Sequence, residues 1–390
     1  MAQVNSEKRG AMRITVEAVQ SRRALRDFID VPRRLYAKTP QWVPTLNVDY
    51  RSLYKRKHPF FQHADGEFFT AYADDEPVAR AMTIHNERYN TQHNRRAAHF
   101  YFVDFVDDAA VVDALFAEMS AWAHERQLTE LMGPLFMGAS LGGGVLVKGF
   151  EHTAAMTMMP YNHDYYAGHY ERLGFEKSFD LYSLFIDPHT FALPQRVERM
   201  AEHVRERGRM KVVEFSRKSE LKKAAYKVAA LYNPTLADHA ENYPLTDAEL
   251  DQIIRDLLLI ARPDLEKIIT YDDEVVGYLL GFPDLTPALQ KGGGRLTPAA
   301  LFRLWRTARR PKKLILNGMG ILERFQRLGG NALIYSELNR TARNTPAYNF
   351  EAAEMVQINE STDLMLADLK KLGAEIAKIH RVYRREVRDA

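Results

Sequence analysis

The feature that most constrains this chain is that it repeats itself. Residues 68–80 (FFTAYADDEPVAR) and 268–278 (IITYDDEVVGY) share one design, with β-branched and aromatic residues on either side of an Asp-Asp pair. Asp74-Asp75 and Asp272-Asp273 stand where a two-residue hairpin turn needs left-handed backbone, which Asp tolerates better than most residues. Further along each half a short helical segment ends in Leu-Gly: residues 165–172 before Leu173-Gly174, and 363–371 before Leu372-Gly373. Each glycine falls where a left-handed helix cap is expected. A chain of 390 residues exceeds one ordinary core and divides at this repeat, into residues 13–190 and 191–388.

Between the echoes the two halves read alike. The first predicts a strand over 99–106, an amphipathic helix over 111–126 and a strand over 128–135. An excursion through Phe150 then leads to the capped helix and a strand over 181–185. The second predicts a strand over 313–321, a helix over 331–343 and a strand over 350–358, and residues 193–211 form a bridging helix. Hairpin, strand, helix, strand, helix, strand is an α/β arrangement of α+β type, with a mixed, mostly antiparallel sheet in each half.

The chain has no cysteine, which removes disulfides, thiolate metal sites and thiol catalysis. Residues 1–10 are polar and lack a signal-peptide core, and the apolar stretch 128–147 is broken by Gly133, Pro134 and Gly142–Gly144. A cytoplasmic protein is expected, with any membrane contact peripheral, at the inner face of the inner membrane. His85, His99, His152, His163 and His380 are scattered without metal-ligand spacing, so no metal is expected. Net charge is only +3, but basic residues cluster at 22–34, 51–57 and 291–313. Such patches meet phosphates of a cofactor, acidic lipid or nucleic acid.

The sharpest local motif is Arg327-Leu328-Gly329-Gly330-Asn331-Ala332, after a strand and opening a helix. Small residues there let backbone N–H groups approach an anion, and the helix start adds partial positive charge. The equivalent place in the first half, residues 106–110, has no glycine and carries Asp107 and Asp108, which would repel a pyrophosphate.

Arg327-x-x-Gly330-x-Ala332 resembles the pyrophosphate loop of the GNAT acyl-CoA N-acyltransferases, and the Leu-Gly segments, with Asn359 ahead of the second, resemble that fold's closing helix and strand. The run 158–166 (MMPYNHDYY), with Gly149-Phe150 before it and Val382-Tyr383 near the end, resembles a tandem GNAT subgroup that includes the YghO-like proteins and bacterial ceramide synthases. Against that subgroup's polar stretch after Gly133-Pro134, residues 139–144 (ASLGGG) are small and apolar, which favours a lipidic substrate. The resemblance implies two GNAT domains, the second binding acyl-CoA as co-substrate and the first forming the acceptor side.

Acyl transfer from a thioester to an amine of pKa about 10 needs a base, an oxyanion donor and a proton for the leaving thiolate. The resemblance puts the oxyanion donor at Gly318 to Ile321, with Met319, Gly320 and Ile321 along the thioester. Asp104 and Glu354, carboxylates within strands, are the candidate bases, although a carboxylate in a strand is more often a satisfied structural or edge residue. Tyr166 is the candidate proton donor to the thiolate. Tyr161, Asn162 and Tyr165 are candidates for the acceptor cleft, or members of a buried aromatic cluster.

Thr297-Pro298 starts a helix. On it Leu301, Leu304, Trp305 and Ala308 share one face, while Arg303, Arg306, Arg310 and Lys313 share another. Contact with anionic membrane and an ordinary core-facing helix are both open; nucleic acid is not expected, because no interleaved stacking aromatics accompany the arginines. The function expected is acylation of a long-chain sphingoid amine. The rivals are acetyl transfer to a small amine or a protein, and a non-catalytic acyl-CoA or lipid binder.

Overall fold

The computed structural model describes residues 12–136, 142–236 and 242–387; Ala139, Ser140 and Leu141 of the small-residue stretch lie outside them. The first half contains β1 (Ile14–Ala18), α1 (Arg22–Leu35), α2 (Asn47–Tyr54), β2 (Ala64–Ala73), β3 (Glu76–Asn86), α3 (Glu87–His93), β4 (Ala97–Phe105), α4 (Ala109–Glu125), β5 (Glu130–Gly133), β6 (Val145–Lys148), α5 (Tyr165–Arg172) and β7 (Glu176–Ile186). The second contains α6 (Gln195–Arg207), β8 (Met210–Val213), α7 (Lys218–Leu236), α8 (Asp247–Ile260), β9 (Lys267–Tyr271), β10 (Glu274–Pro283), α9 (Thr286–Gly292), α10 (Pro298–Arg309), β11 (Lys313–Ile321), α11 (Gly330–Asn344), β12 (Ala352–Asn359), α12 (Asp363–Lys371) and β13 (Glu375–Glu386). No helix among the described residues is long and apolar enough to cross a membrane.

The echoes fold alike. Asp74, Asp75, Asp272 and Asp273 all take positive φ, between 47° and 70°, at the tips of the β2–β3 and β9–β10 hairpins. Gly174 and Gly373 end α5 and α12 with φ of 80° and 83°. Helix α4 lays Val112, Leu115, Phe116 and Met119 on the sheet, and α11 does the same with Leu333, Ile334 and Leu338. Each such side chain contributes roughly 2 kcal/mol by leaving water. The bridging helix stops at Arg207, short of the expected 211, because Met210–Val213 joins the sheet edge as β8.

What the order of elements does not disclose is that the closing strands are exchanged. The sheet is continuous, in the order β1-β2-β3-β4-β5-β13-β7-β12-β11-β10-β9-β8. β13, at the end of the second half, pairs with β5 and β6 of the first, and β7 pairs with β12 of the second. β7 and β13 pair with each other at the centre. All pairs are antiparallel except β4–β5 and β11–β12. Those two parallel pairs are the points where each half opens.

Candidate active site

Strands β11 and β12 pair only through Lys313–Leu316 and Ala352–Met355; beyond them the strands diverge. β12 is turned by an irregularity between Met355 and Ile358, where Gln357 holds φ at 61°. The divergence leaves a wedge of about 210 Å³ lined by Leu316, Met319, Tyr335, Val356, Met365 and Leu369, with Asn359 at its edge. Asn359 is buried and its Oδ1 accepts from the backbone N–H and hydroxyl of Ser361 at 2.9 and 2.8 Å.

The wedge continues over the start of α11. Arg327 (φ 64°) and Gly329 (φ 89°) turn the chain back on itself, so that α11 begins under an open groove of about 760 Å³. First-turn amides have no partner within their own helix, and no side chain caps this one. Arg327, Gly329, Gly330, Asn331 and Ala332 line the groove together with Met319, Gly320 and Ile321. Leu328 is not in the lining and stands 47% exposed. Groove and wedge share Met319, Tyr335, Met365 and Leu372, so they form one channel. Arg196 and Arg327 border it with positive charge, while Lys371 is paired with Asp368 at 3.6 Å. Burial keeps the Tyr335 hydroxyl well above its ordinary pKa.

Gly329 and Gly330 also serve packing. A Cβ on Gly329 would lie 2.6 Å from Val204 Cγ2, and one on Gly330 would lie 3.1 Å from Ile269 Cδ1 and Ile321 Cδ1. The loop therefore needs glycine for the approach of α11 to α6 and the sheet as well as for access to an anion.

On the opposite side of β11 lies a second cavity, of about 140 Å³, between α7 and α8. Leu221, Val228, Leu250 and Ile254 wall it, Tyr278 and Phe282 floor it, and it reaches Asn317 and Gly318, which also line the wedge. Gly318 takes φ of 106° where β11 meets the irregularity in β10 between Leu279 and Gly281. At the cavity's base Glu266 is 3% exposed. Its Oε2 accepts from Gly281 N–H at 3.3 Å, while Oε1 has no hydrogen-bond partner among the described residues. Burial raises its carboxyl well above 4.5, outweighing the Gly281 bond. The neighbouring Lys267 is turned elsewhere, donating to Asp264 O and Thr341 Oγ1 at 2.7 and 2.8 Å. Neither Glu266 nor this cavity is anticipated by the motifs. The available signal is a carboxylate heading the apolar run Ile268-Ile269.

The residues expected on the acceptor side lie in the first half and are committed to one another. Phe105 N–H donates to the Tyr166 hydroxyl (3.0 Å), which bonds that of Tyr36 (2.9 Å), which donates to Asp104 Oδ1 (2.9 Å). Arg80 Nε holds the other Asp104 oxygen at 2.7 Å. Burial and the nearby Asp104 raise the Tyr166 pKa, so this hydroxyl keeps its proton. Tyr165 donates to Phe105 O at 2.7 Å, and Tyr161 to Phe150 O at 3.1 Å. Asn162 accepts from Leu146 N–H and donates to Leu146 O and His163 O, bracing β6. Glu354 points away from the wedge. It is fully buried, paired with Lys313 and, at 2.5 Å, with Lys378. Asp104, Tyr166 and Glu354 thus stand apart from the channel, because each is tied into a buried polar network.

No family model matches the chain. It is similar over 374 residues to Protein YghO of Escherichia coli (strain K12), at 26% identity and 93% of each chain. It is similar over 376 residues to the Bacterial ceramide synthase of Caulobacter vibrioides (strain NA1000 / CB15N), at 25% identity, covering 95% of this chain and 97% of that one. Among solved structures, the tandem GNAT protein from the clavulanic acid biosynthesis pathway superposes with a TM-score of 0.55 at 12% identity, covering 97% of this chain and 99% of that one. A GCN5-related N-acetyltransferase from Sphaerobacter thermophilus superposes with a TM-score of 0.51 at 13% identity, covering 97% and 96%. The chain has the tandem GNAT fold over nearly its whole length.

Proposed function

We propose that this chain is an acyl-CoA-dependent N-acyltransferase whose chemistry lies in the second half, and that its acceptor is a long-chain amine of the sphingoid-base kind. The observation that carries the reading is that the β11–β12 wedge and the α7–α8 cavity meet at Asn317 and Gly318, with the free oxygen of Glu266 on the acceptor side. The pyrophosphate would rest on the Arg327–Ala332 loop and the thioester along the open edge of β11.

An ammonium group entering the α7–α8 cavity leaves water. Desolvation lowers the amine pKa and raises the carboxyl pKa, so a proton passes from nitrogen to Glu266. The neutral nitrogen attacks the thioester carbon and forms the C–N bond, and the carbonyl oxygen becomes an oxyanion. Backbone N–H groups of Gly318 to Ile321 are the candidate donors to it. Collapse breaks the C–S bond. The second proton leaves the nitrogen and reaches the thiolate by way of Tyr335, which gives up its hydroxyl proton and regains one. Glu266 releases its proton to solvent, so one proton is produced per turnover.

The apolar walls of the acceptor cavity and of the wedge support long alkyl chains on both substrates, and the similarity to the Bacterial ceramide synthase supports a sphingoid amine. Such a substrate also suits an enzyme working peripherally at the inner face of an anionic bilayer. The test is thiol release from acyl-CoAs of increasing length with sphinganine or a short polar amine as acceptor. Turnover confined to long-chain acyl-CoA and sphinganine is expected. Turnover with acetyl-CoA and polar amines would move the chain to small-amine acetylation, and CoA binding without turnover would make it a binding protein.

A further inference from the structure

Helix α10 buries little of its apolar surface. Ala300 is buried, and Leu304 and Ala308 pack partly buried against the core that includes α8 side chains. The single face read from the sequence is divided: Leu301, Phe302 and Trp305 stand 52%, 59% and 50% exposed. The Phe302 and Trp305 rings stack at 5.7 Å, and the Arg309 guanidinium lies 4.2 Å from the Trp305 centroid. The helix contains no acid; Arg309 lies on the Trp305 ring, Arg303, Arg306 and Arg310 follow round the exposed side of the helix, and none of the four has a carboxylate partner among the described residues. Lys313 does not belong to this group, since it lies in β11 and pairs with Glu354.

The chain leading into α10 borders a second feature. Arg295, Leu296 and Thr297 line a cleft of about 940 Å³ closed on its other sides by α1 and α2. Arg22, Arg26, Arg51 and Lys55 join Arg295 around it, and the acid present, Asp30, is already paired with Arg33 at 2.8 Å. Leu296, 45% exposed, continues the apolar surface of the helix into the cleft.

We infer that α10 and this cleft form one docking face for an anionic lipid bilayer, with Leu301, Phe302 and Trp305 entering the headgroup boundary and the cleft receiving lipid phosphates. Exposed rings and aliphatics beside charge of a single sign are unfavourable in water, but they complement an interface that offers both an apolar layer and negative charge. A nucleic acid would match the arginines and leave Leu296, Leu301 and Phe302 unburied. The face also connects to the acceptor cavity: Arg262, just past α8, donates to Ala308 O of α10 at 3.3 Å. α8 is a wall of that cavity, so docking brings the cavity to the bilayer. The inference holds whichever amine is acylated.

The test uses the full chain and co-sedimentation with vesicles of phosphatidylcholine, alone or mixed with phosphatidylglycerol. Binding is expected only with phosphatidylglycerol present, and brominated lipid should quench fluorescence that is missing in Trp305→Phe. The triple variant Arg303→Glu, Arg306→Glu, Arg310→Glu should bind at least about tenfold more weakly, as should the double variant Arg26→Glu, Arg51→Glu. All these side chains are exposed, so thermal melting should be unchanged. Equal binding to phosphatidylcholine alone, unaltered binding by both variants, or a preference for RNA over vesicles would overturn the docking face.

Discussion

At the start of α4 Asp108 turns its own carboxylate onto the helix, accepting from Ala110 and Val111 N–H at 2.9 and 3.2 Å. At the start of α11, the equivalent place in the second half, Gly329 leaves the first turn open. The same contrast recurs at the irregular point of the central strand. In β4 the residue of positive φ is Phe102, whose ring packs on Tyr50, Tyr101 and Phe136; in β11 it is Gly318, which opens onto both cavities. It recurs again in the closing helix. With Gly174 matched to Gly373, Tyr166 and Tyr170 correspond to Met365 and Leu369. The tyrosines fill the divergence of β4 and β5 to leave about 80 Å³, and the Met and Leu line a wedge of about 210 Å³. Diverging strands leave backbone groups that must find partners. In the first half the chain supplies its own, Tyr165 and Tyr166 taking both hydrogen bonds of Phe105. One scaffold therefore becomes a site or a plug according to whether its own side chains occupy the anion position, the bulge and the wedge.

The largest effect tests the group that has no counterpart in this comparison. Glu266→Gln should lower kcat by about 10²- to 10⁴-fold while leaving the KM for acyl-CoA nearly unchanged. The pH dependence gives a separate readout. Because the folded carboxyl is raised above its ordinary 4.5, the wild-type protein loses stability as pH climbs from that value through the raised one. The Gln variant carries no such loss, so its melting temperature should exceed the wild type's by a margin that widens over that interval. Wild-type activity should rise across the same interval. Parallel melting curves, or undiminished turnover, would remove Glu266 from the reaction.

Next comes the anion position. Asn331 is exposed on the first turn of α11, so Asn331→Glu sets a carboxylate beside the open helix start, two positions past the Gly329 that matches Asp108. CoA affinity measured by calorimetry should fall about a hundredfold, with stability kept or slightly raised by the helix start. Gly330 is less suited to this test, because a Cβ there lies 3.1 Å from Ile269 Cδ1 and Ile321 Cδ1, which would have to shift to admit it. Unchanged affinity in Asn331→Glu would move the pyrophosphate off this loop.

These two experiments mark how far the sequence could be read. The Asp-Asp turns, the Leu-Gly caps and the Arg327–Ala332 loop are local: a handful of neighbouring residues determines each, and each lies where the pattern put it. Strand exchange is not local, since it pairs β13 with β5 and β6 and β7 with β12, strands far apart along the chain. The roles of the carboxylates are not local either. Asp104, Glu354 and Glu266 are all strand-associated acids in apolar surroundings, yet Arg80 occupies the first, two lysines pair with the second, and of the three only Glu266 keeps an oxygen with neither hydrogen bond nor ion pair among the described residues. That distinction depends on partners 24 or more residues away along the chain, so spacing could not supply it.

A smaller effect transplants the plug. Met365→Tyr with Leu369→Tyr gives the second wedge the side chains of the first, at an overpacking cost of about 1–3 kcal/mol that thermal melting would register. Because bulk is added along the alkyl path and not at the pyrophosphate loop, CoA itself should bind as before. The ratio of turnover with long-chain over short-chain acyl-CoA should drop by about tenfold, the worth of a few lost methylene contacts. If the ratio stays constant, the acyl chain runs elsewhere.

The smallest effect asks whether the first half can be reopened. Asp108→Ala removes the carboxylate that caps α4, exposing the amides of Ala110 and Val111. The loss of the cap should cost about 1 kcal/mol, seen as a fall of a few degrees in melting temperature. No CoA site should appear, because Phe102, Tyr166 and Tyr170 still occupy the bulge and the wedge, and a pyrophosphate alone would gain too little to hold the nucleotide. Calorimetry should therefore still report a single CoA per chain. A stoichiometry of two would mean that the carboxylate by itself closes the first half, and that the aromatic filling can move aside once an anion is admitted.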